Sequence, residues 1–172
     1  MSSRLSVPIV SVIGVKNSGK TTLIEQLVST FTKDGYRVGV MKYALREFQI
    51  DHEGKDTYRF YHAGAYAVGI TSHDKMAVIK RVESPPPLDK ILETHFSDAD
   101  IVLLEGYRGH DCPRICLIVP GKESAESELA QDNKDCPVLR LNVSGQNSNP
   151  ISSEALEKAA DFVRGIIEGR RR

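Results

Sequence analysis

One glycine-rich stretch decides how the rest of the sequence is interpreted: Gly14-Val15-Lys16-Asn17-Ser18-Gly19-Lys20-Thr21. It has the spacing G-x-x-x-x-G-K-[ST], in which the main chain wraps a polyphosphate so closely that successive amide groups point inward. A β-carbon at Gly14 or Gly19 would obstruct that path. A helix beginning near Lys20 would direct its positive end at the same anion. The stretch therefore predicts a phosphate-binding loop (P-loop).

The two residues that end the loop have distinct predicted roles. Lys20 supplies a cation for the β- and γ-phosphates of a nucleoside triphosphate, and Thr21 offers a hydroxyl to Mg²⁺. Both roles require the loop to lie between a strand and a helix.

The flanking sequence has that context. Residues 7–14 are β-branched and nearly all apolar, as expected of a strand buried on both faces. Apolar residues then recur at helical spacing up to Phe31, and Asp34-Gly35 ends the helix. Residues 36–42 form a second strand, which makes a βαβ unit and requires a parallel sheet. We predict an α/β fold: a three-layer P-loop NTPase domain with a mostly parallel sheet flanked by helices, spanning residues 1–172 as a single domain.

Other elements follow from periodicity and turn signals. Buried strands are predicted over 101–104, 115–119 and 138–141. Two strands around the turn 72–75 are predicted over 65–71 and 76–82. Alternation of Phe48 and Ile50 with polar residues indicates either a short β-ribbon around 43–54 or an extended loop. Helices are predicted over 55–65, 88–96, 123–130 (weakly) and 154–168, the last capped by Ser152 or Ser153. A polar loop is predicted over 144–149.

A P-loop needs an acidic partner for Mg²⁺, and Glu105 is the first candidate. It ends the apolar run Ile101-Val102-Leu103-Leu104, which places its carboxylate at the carboxyl edge of the sheet, where ligands bind in open α/β folds. Gly106 directly after it allows the backbone to turn close to the phosphates. We predict that Glu105 serves the metal or the attacking water.

Asp51 is the second acidic candidate. Asp51 and Asp56 flank Gly54-Lys55 after the second strand, where many P-loop NTPases keep a mobile loop that senses the γ-phosphate. A carboxylate there can orient a water or bind Mg²⁺ through one. A charged surface turn is the alternative interpretation.

Composition limits the class of partner. Lys plus Arg and Asp plus Glu each number 23, so the chain has no overall field that would attract it to nucleic acid or an acidic membrane. No apolar run approaches the roughly 18 residues of a membrane helix, and the N-terminal stretch lacks a signal-peptide layout. We expect a cytoplasmic protein that binds neither nucleic acid nor membrane.

The three cysteines, Cys112, Cys116 and Cys136, are interpreted as free thiols. An odd, sparse cysteine count fits a reducing compartment. A Cys/His metal site with His110 is the alternative, although zinc sites usually have tighter cysteine pairs and a fourth ligand.

Three motifs in order resemble the MobB family, the molybdopterin-guanine dinucleotide biosynthesis adapter proteins. They are the loop at 14–22, the segment Ile50-Asp51-x-x-Gly54-Lys55-Asp56-Thr57-Tyr58-Arg59 with Ala63-Gly64-Ala65, and the stretch Leu103-Leu104-Glu105-Gly106-Tyr107-Arg108. The resemblance runs from about Ile9 to Val119.

This resemblance implies a Mg²⁺-dependent GTP-binding protein that hydrolyses GTP slowly. It implies a homodimer that associates with MobA, the guanylyltransferase that joins GMP to molybdopterin. Lys20, Asp51 and Glu105 would be the catalytic residues, and Thr21, Asp51 and Glu105 the metal-binding ones. Arg108 would face an anionic partner such as the pterin phosphate, so molybdopterin itself is a possible ligand. The nucleotide would be held by Gly14, Lys16, Asn17, Ser18, Gly19, Lys20, Thr21, Thr22 and Gly106.

The sequence departs from the family pattern after the second strand. Many members have a Lys-His-x-His-His pattern there, whereas this chain has Lys42-Tyr43-Ala44-Leu45-Arg46. The chain also lacks Asn-Lys-x-Asp, the usual guanine-reading element of GTPases, so the preference for guanine rests on the resemblance alone. Three alternative functions stay open: a P-loop kinase of a small metabolite, a metallochaperone-type GTPase, and a non-catalytic scaffold whose nucleotide only stabilises the fold.

Overall fold

The computed structural model describes residues 7–44, 48–109, 112–121, 136–144 and 150–171. Within those ranges the chain forms seven strands and four helices. The strands are β1 (Ile9–Gly14), β2 (Val38–Lys42), β3 (Ala67–Thr71), β4 (Met76–Lys80), β5 (Ile101–Glu105), β6 (Arg114–Ile118) and β7 (Val138–Asn142). The helices are α1 (Lys20–Lys33), α2 (Asp56–His62), α3 (Leu88–His95) and α4 (Ser153–Arg171).

The chain divides into two compact units, one containing the described residues up to Tyr43 and from Asp89 onward, the other residues 44–88. The first unit contains a five-stranded sheet in the order β2-β5-β1-β6-β7, in which every neighbouring pair is parallel. The predicted α/β class with a mostly parallel sheet is confirmed. The prediction of one domain over 1–172 stays a prediction, because two compact units of a chain can still fold together.

The core of the first unit lies between the sheet and two helices. Alternate residues of β1, β5 and β6 point to one face and pack against α1 and α4. From the helices, Leu23, Leu27 and Phe31 of α1 and Ala159 and Val163 of α4 are all fully buried. This spacing of three and four residues is what an amphipathic helix needs in order to bury one stripe against a sheet.

The sheet has a closely packed contact on the β2 side. A β-carbon added to Gly39 would lie 2.6 Å from Cδ1 of Phe96, which directly follows α3. Arg37, just before β2, donates its backbone N–H to Asp100, just before β5, at 2.8 Å. These contacts fix the start of β2 beside the start of β5, and so align their carboxyl ends.

The second unit contains the antiparallel pair β3–β4 and helix α2. Arg81 ties the hairpin to the helix: its guanidinium donates to the carbonyls of Tyr61 at 2.6 Å and Ala65 at 3.1 Å. The turn between the strands closes with the Ser72 N–H donating to the Lys75 carbonyl at 2.8 Å. The predicted hairpin around 72–75 is therefore confirmed.

Of the two alternatives for 43–54, the short β-ribbon is not formed by the residues that the structure describes, which leaves the extended loop. None of residues 43–44 and 48–54 lies in a strand, and Phe48 and Ile50 are 73% and 71% exposed. The period-two alternation that resembled a half-buried strand instead belongs to apolar side chains that face solvent in a single chain.

The final helix begins as predicted, because the Ala155 N–H donates to the Ser152 hydroxyl at 3.1 Å. Ser152 is thus the capping residue of α4. The predicted weak helix over 123–130 and most of the predicted loop over 144–149 lie outside the described residues.

Candidate nucleotide-binding site

The glycine-rich loop connects β1 to α1 at the carboxyl edge of the sheet. The Ser18 N–H donates to the Val15 carbonyl at 3.3 Å, and the Leu23 N–H donates to the Gly19 carbonyl at 2.9 Å to begin α1. Gly19 is the residue before the helix and has φ near 90°, a left-handed conformation that glycine adopts without steric penalty. Asn17 has φ near 62°. The strand–loop–helix context required by the motif is therefore present.

Both predicted glycines are sterically required. A β-carbon at Gly14 would lie 2.6 Å from the Ser18 hydroxyl and 3.0 Å from the Leu117 carbonyl oxygen. At Gly19 it would lie 2.6 Å from Cγ of Pro150. A side chain at either position would collide with neighbouring protein atoms, so the path of the loop requires glycine at both.

The other loop residues differ in exposure. Lys16 and Asn17 are exposed, Thr22 is half-buried, and Ser18 is fully buried. The Ser18 hydroxyl has no hydrogen-bond partner among the described residues. A buried hydroxyl without a partner is uncommon in a native protein and fits a loop that binds a polar ligand.

Lys20 turns back over the loop. Its ammonium donates to the carbonyl oxygens of Val15 at 2.7 Å and Gly14 at 3.1 Å. Burial lowers the pKa of this ammonium from its usual value; Glu105 opposes the shift, whereas Lys42 and Arg108 reinforce it. The cation is thus held by neutral carbonyls in a partly desolvated position, where an anion would stabilise it more strongly.

Glu105 lies beside Thr21, as predicted. Both carboxylate oxygens of Glu105 accept from the Thr21 hydroxyl at 3.4 Å, and the Glu105 side chain is only 14% exposed. Gly106 turns the chain immediately afterwards with φ near 80°, and its N–H donates to the Val12 carbonyl at 3.0 Å. The geometry therefore places a carboxylate and a hydroxyl together at the start of α1.

Lys42 is a further residue of this site, which the sequence reasoning did not identify as functional. Its ammonium lies 3.3 Å from Oε1 of Glu105. The relevant signal is non-local: Lys42 ends β2 and Glu105 ends β5, and the two residues are register partners across these strands. The sequence shows that both strands end in a charge, but not that the strands are neighbours.

The Thr21–Glu105 pair is chemically suited to Mg²⁺. A hydroxyl and a carboxylate are hard oxygen ligands of the kind that Mg²⁺ prefers, and it usually retains water in its remaining positions. Lys20 and the backbone amides of the P-loop, next to this pair, are suited to bind phosphate groups. The residues present therefore fit a Mg²⁺–polyphosphate ligand.

Asp51 belongs to the second unit, and its predicted catalytic and metal-binding roles stay predictions. Its Oδ1 accepts from the His52 N–H at 2.8 Å, whereas Oδ2 is buried and has no hydrogen-bond partner among the described residues. Asp51 lines a cavity of about 540 Å³ together with Lys55, Asp56 and apolar side chains of β3 and β4. Asp56 lies 3.7 Å from Arg59 within α2.

The described residues contain no cluster of three or more His, Cys, Asp or Glu side chains suited to a metal ion. Cys112 and Cys116 are buried and Cys136 is partly buried. His110 of the alternative Cys/His site lies outside the described residues.

Comparison with known proteins identifies the family. A family model described as Molybdopterin guanine dinucleotide synthesis protein B (MobB) matches residues 9–139. The chain belongs to the MobB family. The matched region contains the whole P-loop and Glu105, so the residues that form the candidate site lie within the part shared with other MobB proteins.

Two curated relatives carry the name molybdopterin-guanine dinucleotide biosynthesis adapter protein. The one from Haemophilus influenzae is 32% identical over 112 residues, a match that covers 64% of this chain and 63% of the relative. The one from Escherichia coli is 27% identical over 172 residues, a match that covers 95% of this chain and 95% of the relative.

Solved structures agree with the fold. A crystal structure of molybdopterin-guanine biosynthesis protein B (MobB) is 28% identical with a TM-score of 0.65, covering 93% of this chain and 99% of that one. A structure of Bacillus subtilis MobB, 20% identical with a TM-score of 0.60, covers 90% of this chain and 97% of that one and shows the fold alone. In the part of the chain that the structure describes, no helix has the length and apolar character needed to span a bilayer.

Proposed function

We propose that the chain is a GTP-binding adapter in molybdopterin-guanine dinucleotide biosynthesis, which binds GTP with Mg²⁺, hydrolyses it slowly and assists a MobA-type guanylyltransferase in the cytoplasm. The observation that carries the proposal is the P-loop with Thr21 and Glu105 in contact beside it. The names of the curated relatives support the pathway.

The residues of the loop would do the binding. The first turn of α1 has unpaired backbone N–H groups and the positive end of the helix dipole, both of which favour phosphate. Lys20 would exchange its two carbonyl acceptors, Gly14 and Val15, for phosphate oxygens. This exchange replaces two neutral acceptors with charged ones, and hydrogen bonds to charged groups are stronger.

The acidic edge of the site would hold the metal. Thr21 and Glu105 would be its protein ligands, directly or through water. The metal-binding and catalytic roles of Asp51 stay part of the proposal on the family resemblance alone. Bound Mg²⁺ would neutralise charge that develops on the phosphate oxygens.

Slow hydrolysis fits the contacts of Glu105. Its described side-chain partners are Thr21 and Lys42, so neither a water-positioning glutamine nor an arginine finger is among them. Such water-positioning groups and arginine fingers are worth about 10³ to 10⁵ in rate. We therefore propose that turnover is weak unless a partner protein supplies the missing group.

A homodimer is the second part of the proposal. Large apolar side chains of the second unit are exposed in the single chain: Phe48, Ile50, Phe60, Tyr66, Ile70, Met76, Val78 and Val82. An exposed apolar surface of this kind typically marks an interface. Arg108, exposed after Glu105, is proposed to face an anionic partner such as the pterin phosphate.

The test is a nucleotide-binding panel with GTP, ATP and CTP, with and without Mg²⁺, repeated in the presence of a MobA-type enzyme and molybdopterin. We expect Mg²⁺-dependent binding that is tightest for GTP and formation of a complex with the enzyme. Equal affinity for all three nucleotides would contradict guanine preference, and absence of any nucleotide binding would contradict the whole proposal. Transfer of the γ-phosphate to a metabolite would instead favour a kinase.

A further inference from the structure

Lys42 occupies a defined place at the edge of the sheet. In the order β2-β5-β1, the carboxyl ends of three neighbouring strands carry Lys42, Glu105 and the P-loop, respectively. Glu105 is the register partner of Lys42 on one side and of Val12 on the other. Lys42 is therefore separated from the phosphate-binding loop only by the strand that carries the metal-binding carboxylate.

The contact between Lys42 and Glu105 is asymmetric. The Lys42 side chain is 69% exposed, whereas that of Glu105 is 14% exposed. Glu105 is also held by Thr21, so its carboxylate is the fixed member of the pair and the lysine is the one free to move. A long, exposed lysine side chain can change partner at little energetic cost.

Several charges converge on this one carboxylate. The Lys42 ammonium lies 3.3 Å from Oε1 of Glu105, and Lys20 directly precedes Thr21, whose hydroxyl donates to the same carboxylate. When Glu105 is engaged with a metal ion, its negative charge is no longer available to balance Lys42. A triphosphate bound in the P-loop would supply another anion at this edge of the sheet.

We propose that Lys42 is a specificity-determining residue that contacts the γ-phosphate and makes the site prefer a nucleoside triphosphate to the corresponding diphosphate. In the absence of nucleotide, Glu105 holds the Lys42 ammonium at the position seen here. When a triphosphate binds, the Lys42 side chain moves and its ammonium contacts the γ-phosphate instead. This inference rests on the proposed function, because it requires a triphosphate in the P-loop.

The experiment compares binding of a non-hydrolysable GTP analogue and of GDP by titration calorimetry with Mg²⁺ present. The variants are Lys42→Met, Lys42→Arg and the matched control Lys158→Met; Lys158 is another exposed lysine paired with a glutamate, 2.6 Å from Glu154. We expect Lys42→Met to weaken binding of the analogue about tenfold or more and of GDP less than twofold. Lys42→Arg should retain most of the preference, and Lys158→Met should change neither affinity.

The outcomes separate the two proposals. If the unaltered protein binds no nucleotide, the proposed function fails. If it binds both nucleotides but Lys42→Met weakens both equally, or neither, the role of Lys42 is wrong while the proposed function stands. Far-ultraviolet circular dichroism and the unfolding midpoint confirm that the variant is folded; if Lys42→Met is not, the ratio of the two affinities in Lys42→Gln decides by the same criterion.

Discussion

At the scale of single residues, Lys20 is the cation proposed to contact the phosphates. Lys20→Ala removes a cation from the partly buried position next to Gly14 and Val15, so we expect nucleotide affinity to fall at least tenfold. Titration calorimetry measures the loss. The control is Lys33→Ala at the other end of α1, which should bind as the unaltered protein does; unchanged affinity in Lys20→Ala would contradict the phosphate-binding role.

The nucleotide affinities of the unaltered protein and of Lys20→Ala should depend differently on pH. Burial lowers the pKa of Lys20 below 10.5 in the nucleotide-free protein, whereas bound phosphate favours the charged ammonium. As the pH rises through this lowered pKa, the free protein loses the charge that binding requires. The affinity advantage of the unaltered protein over Lys20→Ala should therefore shrink at alkaline pH, starting below 10.5. A constant ratio of affinities between pH 8 and 10.5 would contradict this.

Glu105 tests the metal-binding edge. Glu105→Gln keeps an oxygen that can accept from Thr21 but removes the negative charge that Mg²⁺ requires. We expect Mg²⁺-dependent GTP hydrolysis to fall at least tenfold, with nucleotide binding in the absence of Mg²⁺ not weakened. Release of phosphate under single-turnover conditions measures the first, and calorimetry the second. Glu25→Gln, on the exposed side of α1, serves as the control, and normal turnover in Glu105→Gln would remove Glu105 from the site.

At the scale of elements, two glycines in or beside helices should respond oppositely to the same substitution. Gly19→Ala places a methyl group 2.6 Å from Pro150 and forces alanine to φ near 90°, so we expect a loss of stability of about 1–3 kcal/mol. Gly165→Ala lies within α4 with nothing near its new methyl group, and should gain about 0.5–1 kcal/mol. Urea denaturation followed by circular dichroism measures both; a Gly19→Ala protein as stable as the unaltered one would mean that the loop is not held as described.

Local patterns predicted individual elements well, and their failures have a physical cause. Residues 7–14 and 101–105 were predictable as buried strands because both faces of a parallel sheet are covered, which leaves a continuous apolar run. The pairing of Lys42 with Glu105 was not predictable, because it depends on β2 lying next to β5, far apart in the chain. The sequence motif was therefore sufficient to predict the P-loop and Glu105, whereas Lys42 could be recognised only from the order of the strands.

The segment 43–54 shows a second reason why local patterns are ambiguous. Phe48 and Ile50 alternate with polar residues as a half-buried strand would, yet both are exposed. Alternation of apolar and polar residues indicates that one face of a segment is apolar. It does not show whether that face packs against the chain's own core or against another molecule.

At the scale of the whole molecule, the exposed apolar side chains of residues 44–88 predict self-association. Domains of about 60 residues or fewer bury too little surface to be very stable alone, and the second unit spans only residues 44–88. A second copy of the chain would cover the apolar side chains that this unit exposes to solvent. We expect sedimentation equilibrium at micromolar concentration to give twice the 19.0 kDa mass of the chain. Val78→Glu should give a single copy, because Val78 is 57% exposed on β4 and a carboxylate there would be buried without a partner.

Lys33→Glu also introduces a carboxylate at an exposed position, but in the first unit, and should leave the mass unchanged. If the unaltered protein sediments as a single chain, the homodimer is wrong. If Val78→Glu remains a dimer, association uses a surface other than the one around Val78. Because Val78 lies outside the P-loop, a monomeric Val78→Glu that still binds GTP would further separate the role of the loop from the role of the interface.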